Sequence, residues 1–212
     1  MIVVCGGMYR SGSTWMFNAA RIAMAEIGDV GTATEPESLV GHQHYIVKAH
    51  QISPFWINNA DVVFLSHRDL RDVVASCHRA FDMPLLANVA KEALSKYMDW
   101  KPYANYDMRY ENMICDQKSE VEKIMKVLGV TCSPEAVLFE LGKISFEANR
   151  KDKDKPHDAL TLLHQKHITD GRHGSWRQTL PREVANAIEL ECADWMALYD
   201  YIPQAKGYHD NA

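Results

Sequence analysis

The chain of 212 residues is long enough to bury one substantial core, and a single α/β domain suits that length better than two small ones. With 47% hydrophobic and 24% charged residues it has the composition of a folded globular protein, which excludes disordered and fibrous classes. A formal net charge of -5 argues against nucleic-acid binding through a broadly basic surface, so any anion site must be a concentrated pocket.

The opening residues Ile2 to Cys5 form a short β-branched apolar run that ends in a glycine pair. A Gly-rich loop follows, and from Thr14 the stretch "TWMFNAARIAMAEIG" has helical spacing as far as Gly28. "HYIVKAH" (His44 to His50) and "DVVFLS" (Asp61 to Ser66) read as further short strands, and "DLRDVVASCHR" (Asp69 to Arg79) returns to helical spacing. Strands separated by helices imply a mainly parallel sheet covered by helices on both faces. Further on, "SEVEKIMKVLGV" reads as an amphipathic helix ending at Gly129, and "PREVANAIELECADWMALYDY" as one continuous helix with Pro181 in its first turn. The stretch from Glu147 to Asp158 is dense in charge and poor in apolar residues, so a mobile surface loop is expected there, extending to about residue 170. The expected fold is a single P-loop-like α/β domain spanning residues 1–212.

The five cysteines (Cys5, Cys77, Cys115, Cys132, Cys192) are scattered and odd in number, which indicates reduced thiols rather than a disulfide frame or zinc site. "MIVVC" is too short and lacks the basic leader of a signal peptide, and no run approaches the roughly 20 apolar residues needed to cross a bilayer. A cytoplasmic protein without membrane partners is the expectation.

The chemistry concentrates in "CGGMYRSGSTWM", starting at Cys5. Gly7 and Gly12 fit G-x-x-x-x-G, with Ser13 and Thr14 following, the geometry in which backbone N–H groups and a helix N-terminus converge on an anion. A nucleoside-triphosphate loop places lysine after the second glycine to reach the β- and γ-phosphates; here Ser13 occupies that place and Arg10 supplies the charge from within the loop. A forked, permanent cation there can face a leaving or bridging oxygen without a metal. His42, His44 and His50 also raise a metal reading, but no carboxylate or cysteine completes a set, so no metal is expected.

"YRSGSTW" resembles the 5′-phosphosulfate loop of sulfotransferases that use 3′-phosphoadenosine 5′-phosphosulfate (PAPS), with Arg10 in place of the usual lysine and Ser13 in place of the first threonine. Four further segments match in family order. "FLSHRDLRDVVASCHR" is similar to the 3′-phosphate element, in which Arg68 is followed eight positions later by Ser76. "VKAH" resembles the segment that carries Lys48 and the base His50; "RYENM" the segment whose Tyr110 lies near adenine; and "DGRHGSWRQTL" the late loop with Gly171, Gly174, Trp176 and Arg177. The Arg-Lys pair that often precedes the first glycine of that loop is replaced by Thr169 and Asp170, so those 3′-phosphate contacts are either absent or moved to Arg172.

The resemblance implies a PAPS-dependent sulfotransferase releasing adenosine 3′,5′-bisphosphate (PAP) and requiring no metal. It assigns His50, Lys48 and Arg10 to catalysis, and Arg10, Ser11, Gly12, Ser13, Thr14, Trp15, Arg68, Ser76, Tyr110, Gly171 and Arg172 to donor binding. Trp15 and Tyr110 either face adenine or belong to the core. The implied partner is a small-molecule acceptor with a hydroxyl or amine, with Phe81, Met83, Trp100, Tyr103 and Tyr106 either walling it or packing the core; oligomeric state stays open. The rival readings are a P-loop nucleotide kinase and a nucleotide-binding module without catalysis.

Overall fold

Apolar runs without alternation make strands buried on both faces, and here they assemble into one five-stranded sheet in which every neighbouring pair is parallel. The computed structural model describes residues 1–149, 158–163 and 171–203. The strands are β1 (Ile2–Gly7), β2 (Val30–Ala33), β3 (His44–Ala49), β4 (Val62–His67) and β5 (Tyr106–Arg109), in the spatial order β2-β3-β1-β4-β5.

The helices are α1 (Ser13–Met24), α2 (Pro54–Asn59), α3 (Leu70–Phe81), α4 (Ala87–Trp100), α5 (Tyr110–Cys115), α6 (Gln117–Leu128), α7 (Pro134–Asn149), α8 (Trp176–Thr179), α9 (Arg182–Glu191) and α10 (Ala193–Leu198). Successive residues of β1 face opposite sides: Val3 and Cys5 pack with α1, α5, α6 and α7, whereas Val4 packs with α3, α4, α9 and α10. The expected α/β architecture, with helices on both faces, is therefore present.

β1 is central, between β3 and β4; the chain runs from it to β2 and β3 on one side and then crosses to β4 and β5 on the other. In an open parallel sheet this reversal leaves a crevice beyond the carboxyl ends of the strands. Register sets what meets there: Cys5 pairs with Lys48, Gly6 with Ala49 and Gly7 with Ser66, so His50 follows directly beside Gly7 and Arg68 lies two residues past Ser66.

Several boundaries differ from the sequence expectation. β1 continues through its glycine pair to Gly7, because Gly6 and Gly7 still have partners in β3 and β4. The long C-terminal helix is two helices, with Pro181 as N-cap of the first and a break at Cys192 (φ -120°). The break lets α10 insert Trp195 among His67, Tyr97, Tyr199 and Tyr201. The edge strands β2 and β5, four residues each, carry too little pattern to be read in advance. The expected mobile loop begins with Glu147, yet α7 extends through Asn149; residues 150–157 and 164–170 lie outside the described residues. Residues 158–163 form a turn in which the Asp158 carboxylate accepts from the N–H groups of Leu160 (2.9 Å) and Thr161 (2.8 Å).

Candidate active site

Between β1 and α1 the chain turns through left-handed conformations at Gly7 (φ 92°), Arg10 (φ 58°) and Gly12 (φ 84°). At Gly7 this is sterically enforced as well, since a Cβ there would fall 2.2 Å from Leu65 Cδ1. Arg10 holds the conformation without being glycine, at a cost of about 1–2 kcal/mol. Its guanidinium is anchored: Nε donates to Ser76 Oγ (2.9 Å), and the group lies 5.4 Å over the Phe81 ring. Ser11 fastens the loop from below, its hydroxyl donating to the Met8 carbonyl (2.6 Å) and sharing a 2.7 Å hydrogen bond with Ser66 of β4. α1 then starts from Gly12, which offers no side-chain cap, so the positive end of the helix dipole is left to a ligand.

Lys48 comes from the end of β3, with its ammonium donating to Thr14 Oγ1. Burial, reinforced by the charge of Arg10, lowers its pKa to about 8. His50, one residue past the strand, places Nδ1 2.8 Å from the Gly7 carbonyl. A carbonyl can only accept, so Nδ1 carries the hydrogen and Nε2 remains an acceptor. Burial and then the charge of Lys48 lower the pKa of His50 to about 4, so the imidazole is neutral near pH 7.

Arg68 stands between β4 and α3 and is 4% exposed. Its guanidinium lies 4.0 Å over the Tyr110 ring, and its terminal nitrogens donate to the carbonyls of Arg10 (3.3 Å) and Arg172 (2.5 Å). Asp72 Oδ2 is 3.8 Å away, but that carboxylate is already engaged by the N–H of Gly174, the hydroxyl of Ser175 (3.2 Å) and the N–H of Trp176 (2.9 Å). Arg68 Nε is buried with no hydrogen-bond partner among the described residues.

These groups open on one cavity of about 370 Å³, within the size range of small-ligand sites. Of the residues expected from sequence, Arg10, Gly12, Ser13, Thr14, Trp15, Lys48, His50, Arg68, Ser76, Tyr110 and Gly171 all line it. Ser11 does not, being buried beneath the loop, and neither does Arg172, an exposed residue whose carbonyl accepts from Arg68. Among the described lining residues there are three cations, Arg10, Lys48 and Arg68, and no carboxylate. The opposite end is apolar, with Trp15, Met113, Ile114, Leu141, Ile144 and Leu163. Sequence reading missed this wall, because residues on the inner faces of α5 and α7 carry the same signature as ordinary core. It also missed Tyr9, whose ring meets His50 edge-on at 6.1 Å.

Of the suggested acceptor-wall residues only Phe81 lines the cavity; Trp100 is fully buried in the core, and Tyr106 packs on Phe64 and donates to Glu120. Trp176 lies between the guanidinium groups of Arg71 (4.1 Å) and Arg177 (4.5 Å), outside the cavity. The three histidines of the metal reading have separate partners: His42 bonds Asp29, His44 the N-terminus, and His50 Gly7.

Residues 85–200, more than half of the chain, match the family model described as the sulfotransferase domain. The chain belongs to the sulfotransferase family. Solved structures of similar fold include the mouse sulfotransferase SULT7A1 complexed with PAP, at 14% identity over 94% of this chain and 86% of that one, with a TM-score of 0.69. Retinol dehydratase in a complex with retinol and PAP is similar at 13% identity over 92% of this chain and 81% of that one, with a TM-score of 0.64. A search of curated protein sequences gives no significant match. The sulfotransferase domain model covers α4 to α10, whereas the Gly-rich loop, Lys48, His50 and Arg68 lie before it; the fold brings both halves to one cavity. Among the described residues, no helix of this sulfotransferase is long and apolar enough to cross a membrane.

Proposed function

We propose that this sulfotransferase takes its sulfuryl group from PAPS, releases PAP, and transfers to a hydroxyl or amine of a small-molecule acceptor in the cytoplasm, working as a single domain across residues 1–212. The observation that carries this reading is a cavity lined by Arg10, Lys48 and Arg68 with no carboxylate among the described lining residues, in a protein of net charge -5. Such a concentration of like charge suits a polyanionic ligand. The PAP-bound structures of similar fold agree with it.

Arg68 and Ser76 would hold the 3′-phosphate, a group that ATP lacks. The backbone and side chains of Gly12, Ser13 and Thr14, at the N-terminus of α1, would hold the 5′-phosphosulfate. Trp15 and Tyr110 would offer aromatic faces to adenine beside the apolar wall, and Gly171 would close the phosphate end. His50 Nε2 would accept the proton of the acceptor as its oxygen or nitrogen attacks sulfur in line. Lys48 and the terminal nitrogens of Arg10 would offset charge on the departing phosphate oxygen.

Calorimetric titration with PAP, beside ADP and ATP-magnesium, tests the donor. The expected result is binding of PAP well ahead of both, with Arg68→Ala weakening PAP by about 10- to 100-fold. Preference for ATP-magnesium, or indifference to the 3′-phosphate, would return the loop to the kinase class.

A further inference from the structure

Two successive residues of the β4–α3 loop are held by two successive residues of α5. The Tyr110 ring lies 4.0 Å beneath the Arg68 guanidinium, and Glu111 Oε1 accepts from the backbone N–H of Asp69 (3.2 Å). The other carboxylate oxygen of Glu111 is held from the C-terminal end of the described chain: Tyr201 donates its hydroxyl to Oε2 (3.0 Å), and Arg109 Nε lies 3.5 Å from the same atom.

Tyr201 is itself pinned on three sides. Its ring stacks on Trp195 with centroids 5.6 Å apart, the Arg109 guanidinium lies 4.5 Å over it, and its carbonyl accepts from Arg71 (2.9 Å). Arg71 returns to the same loop through its bonds to Asp69 (2.7 and 3.0 Å). The strap after α10 thus reaches Asp69, the neighbour of Arg68, by two routes, one at its backbone N–H and one at its carboxylate, although Tyr201 does not line the cavity.

We propose that Tyr201 is a positioning residue for donor binding: acting through Glu111 and the N–H of Asp69, it sets where Arg68 presents its guanidinium to the 3′-phosphate. The inference rests on the assignment of Arg68 to the 3′-phosphate. Without the Tyr201 hydroxyl, Glu111 Oε2 is left with the longer Arg109 contact, so the carboxylate can rotate away from the Asp69 N–H, and the loop then loses the register that keeps Arg68 over Tyr110. Arg68 makes its ligand contact through a planar fork, so a small rotation costs more than a loss of packing would.

The test compares PAP with adenosine 5′-monophosphate, which lacks the 3′-phosphate, by calorimetry on the full chain, with thermal midpoints recorded alongside. Y201F weakens PAP by about fivefold and leaves the monophosphate unchanged, raising the donor KM while kcat stays near its starting value. E111A matches or exceeds that loss, and E111Q, which keeps one acceptor oxygen, recovers part of it. In an Arg68→Ala background Y201F has no further effect. Equal weakening of both nucleotides, or unchanged PAP binding by Y201F and E111A alike, overturns the proposal and leaves the strap as packing. Should Y201F fail to fold, the contrast between E111A and E111Q decides. If Arg68→Ala leaves the preference for PAP intact, the assignment of Arg68 falls and this inference with it; loss of preference in Arg68→Ala with Y201F inert removes the strap alone.

Discussion

Arg10 and Ser76, 66 residues apart in sequence, meet across the cavity in a 2.9 Å hydrogen bond from guanidinium Nε to hydroxyl. The contact ties the loop cation to the helix residue proposed for the 3′-phosphate. Ser76→Ala removes a donor to the ligand and the anchor of Arg10 together. PAP binding should weaken by about tenfold or more, whereas adenosine 5′-monophosphate should lose less. Titration of both ligands against the variant checks this; equal losses would show that Ser76 serves Arg10 alone.

Burial and the charge of Lys48 hold the pKa of His50 at about 4, below the ordinary 6.5, so the imidazole proposed as base is neutral near pH 7. With Nδ1 committed to Gly7, only Nε2 can take a proton. His50→Ala should lower kcat by about 100- to 10,000-fold with donor affinity retained. Activity that depends on the deprotonated imidazole falls as pH drops through its pKa. A polyanionic donor beside Lys48 moves that pKa upward, so the acid limb of the kcat profile should lie above pH 4 and vanish in the variant. An unchanged acid limb in His50→Ala would assign it to another group.

Lys48 makes a prediction of opposite direction. Its pKa of about 8 in the free protein reflects burial and the charge of Arg10, both of which oppose the ammonium. A bound polyanion favours the ammonium and raises that pKa, so the complex holds more protons than the free protein at and above pH 8. PAP affinity should therefore be full below pH 7, fall as pH rises through 8, and be accompanied by proton uptake in that window. Calorimetry at pH 8.5 in two buffers of different ionisation enthalpy measures the uptake directly. Lys48→Met should abolish it, and a wild-type affinity independent of pH between 7 and 9 would rule it out.

The anion loop was legible because its signal is local: two glycines, a hydroxyl pair and a strand before a helix are chemistry that sequence spacing alone specifies. Lys48, His50 and Arg68 were joined into one site only by the family resemblance, since their convergence depends on the register of β3 and β4 against β1, which spacing does not give. The apolar wall was not legible at all. Leu141 and Ile144 repeat at helical spacing, and nothing in that spacing distinguishes a face turned to a ligand from one turned to core. Asp72 reads as a surface charge on an amphipathic helix, yet it is 1% exposed and gathers the N–H groups of the late loop. Arg172 was singled out for its guanidinium, while the contact that spacing could not show is that of its carbonyl with Arg68.

Gly7 joins the stability of the sheet to the geometry of the site. Its carbonyl fixes the His50 tautomer, its φ of 92° starts the loop, and an added Cβ would meet Leu65 Cδ1 at 2.2 Å, while Leu65 is itself fully buried. Gly7→Ala thus combines a strained backbone with an overpacked core, and about 2–4 kcal/mol of stability should be lost. Relief by a flip of the backbone at residue 7 would free His50 Nδ1, so the variant should lose kcat beyond what its folded fraction explains. Leu65→Ala in the same chain opens the space without touching φ. If the double variant regains stability but not kcat, the carbonyl orientation is what catalysis requires; recovery of both together would make Gly7 a packing residue only.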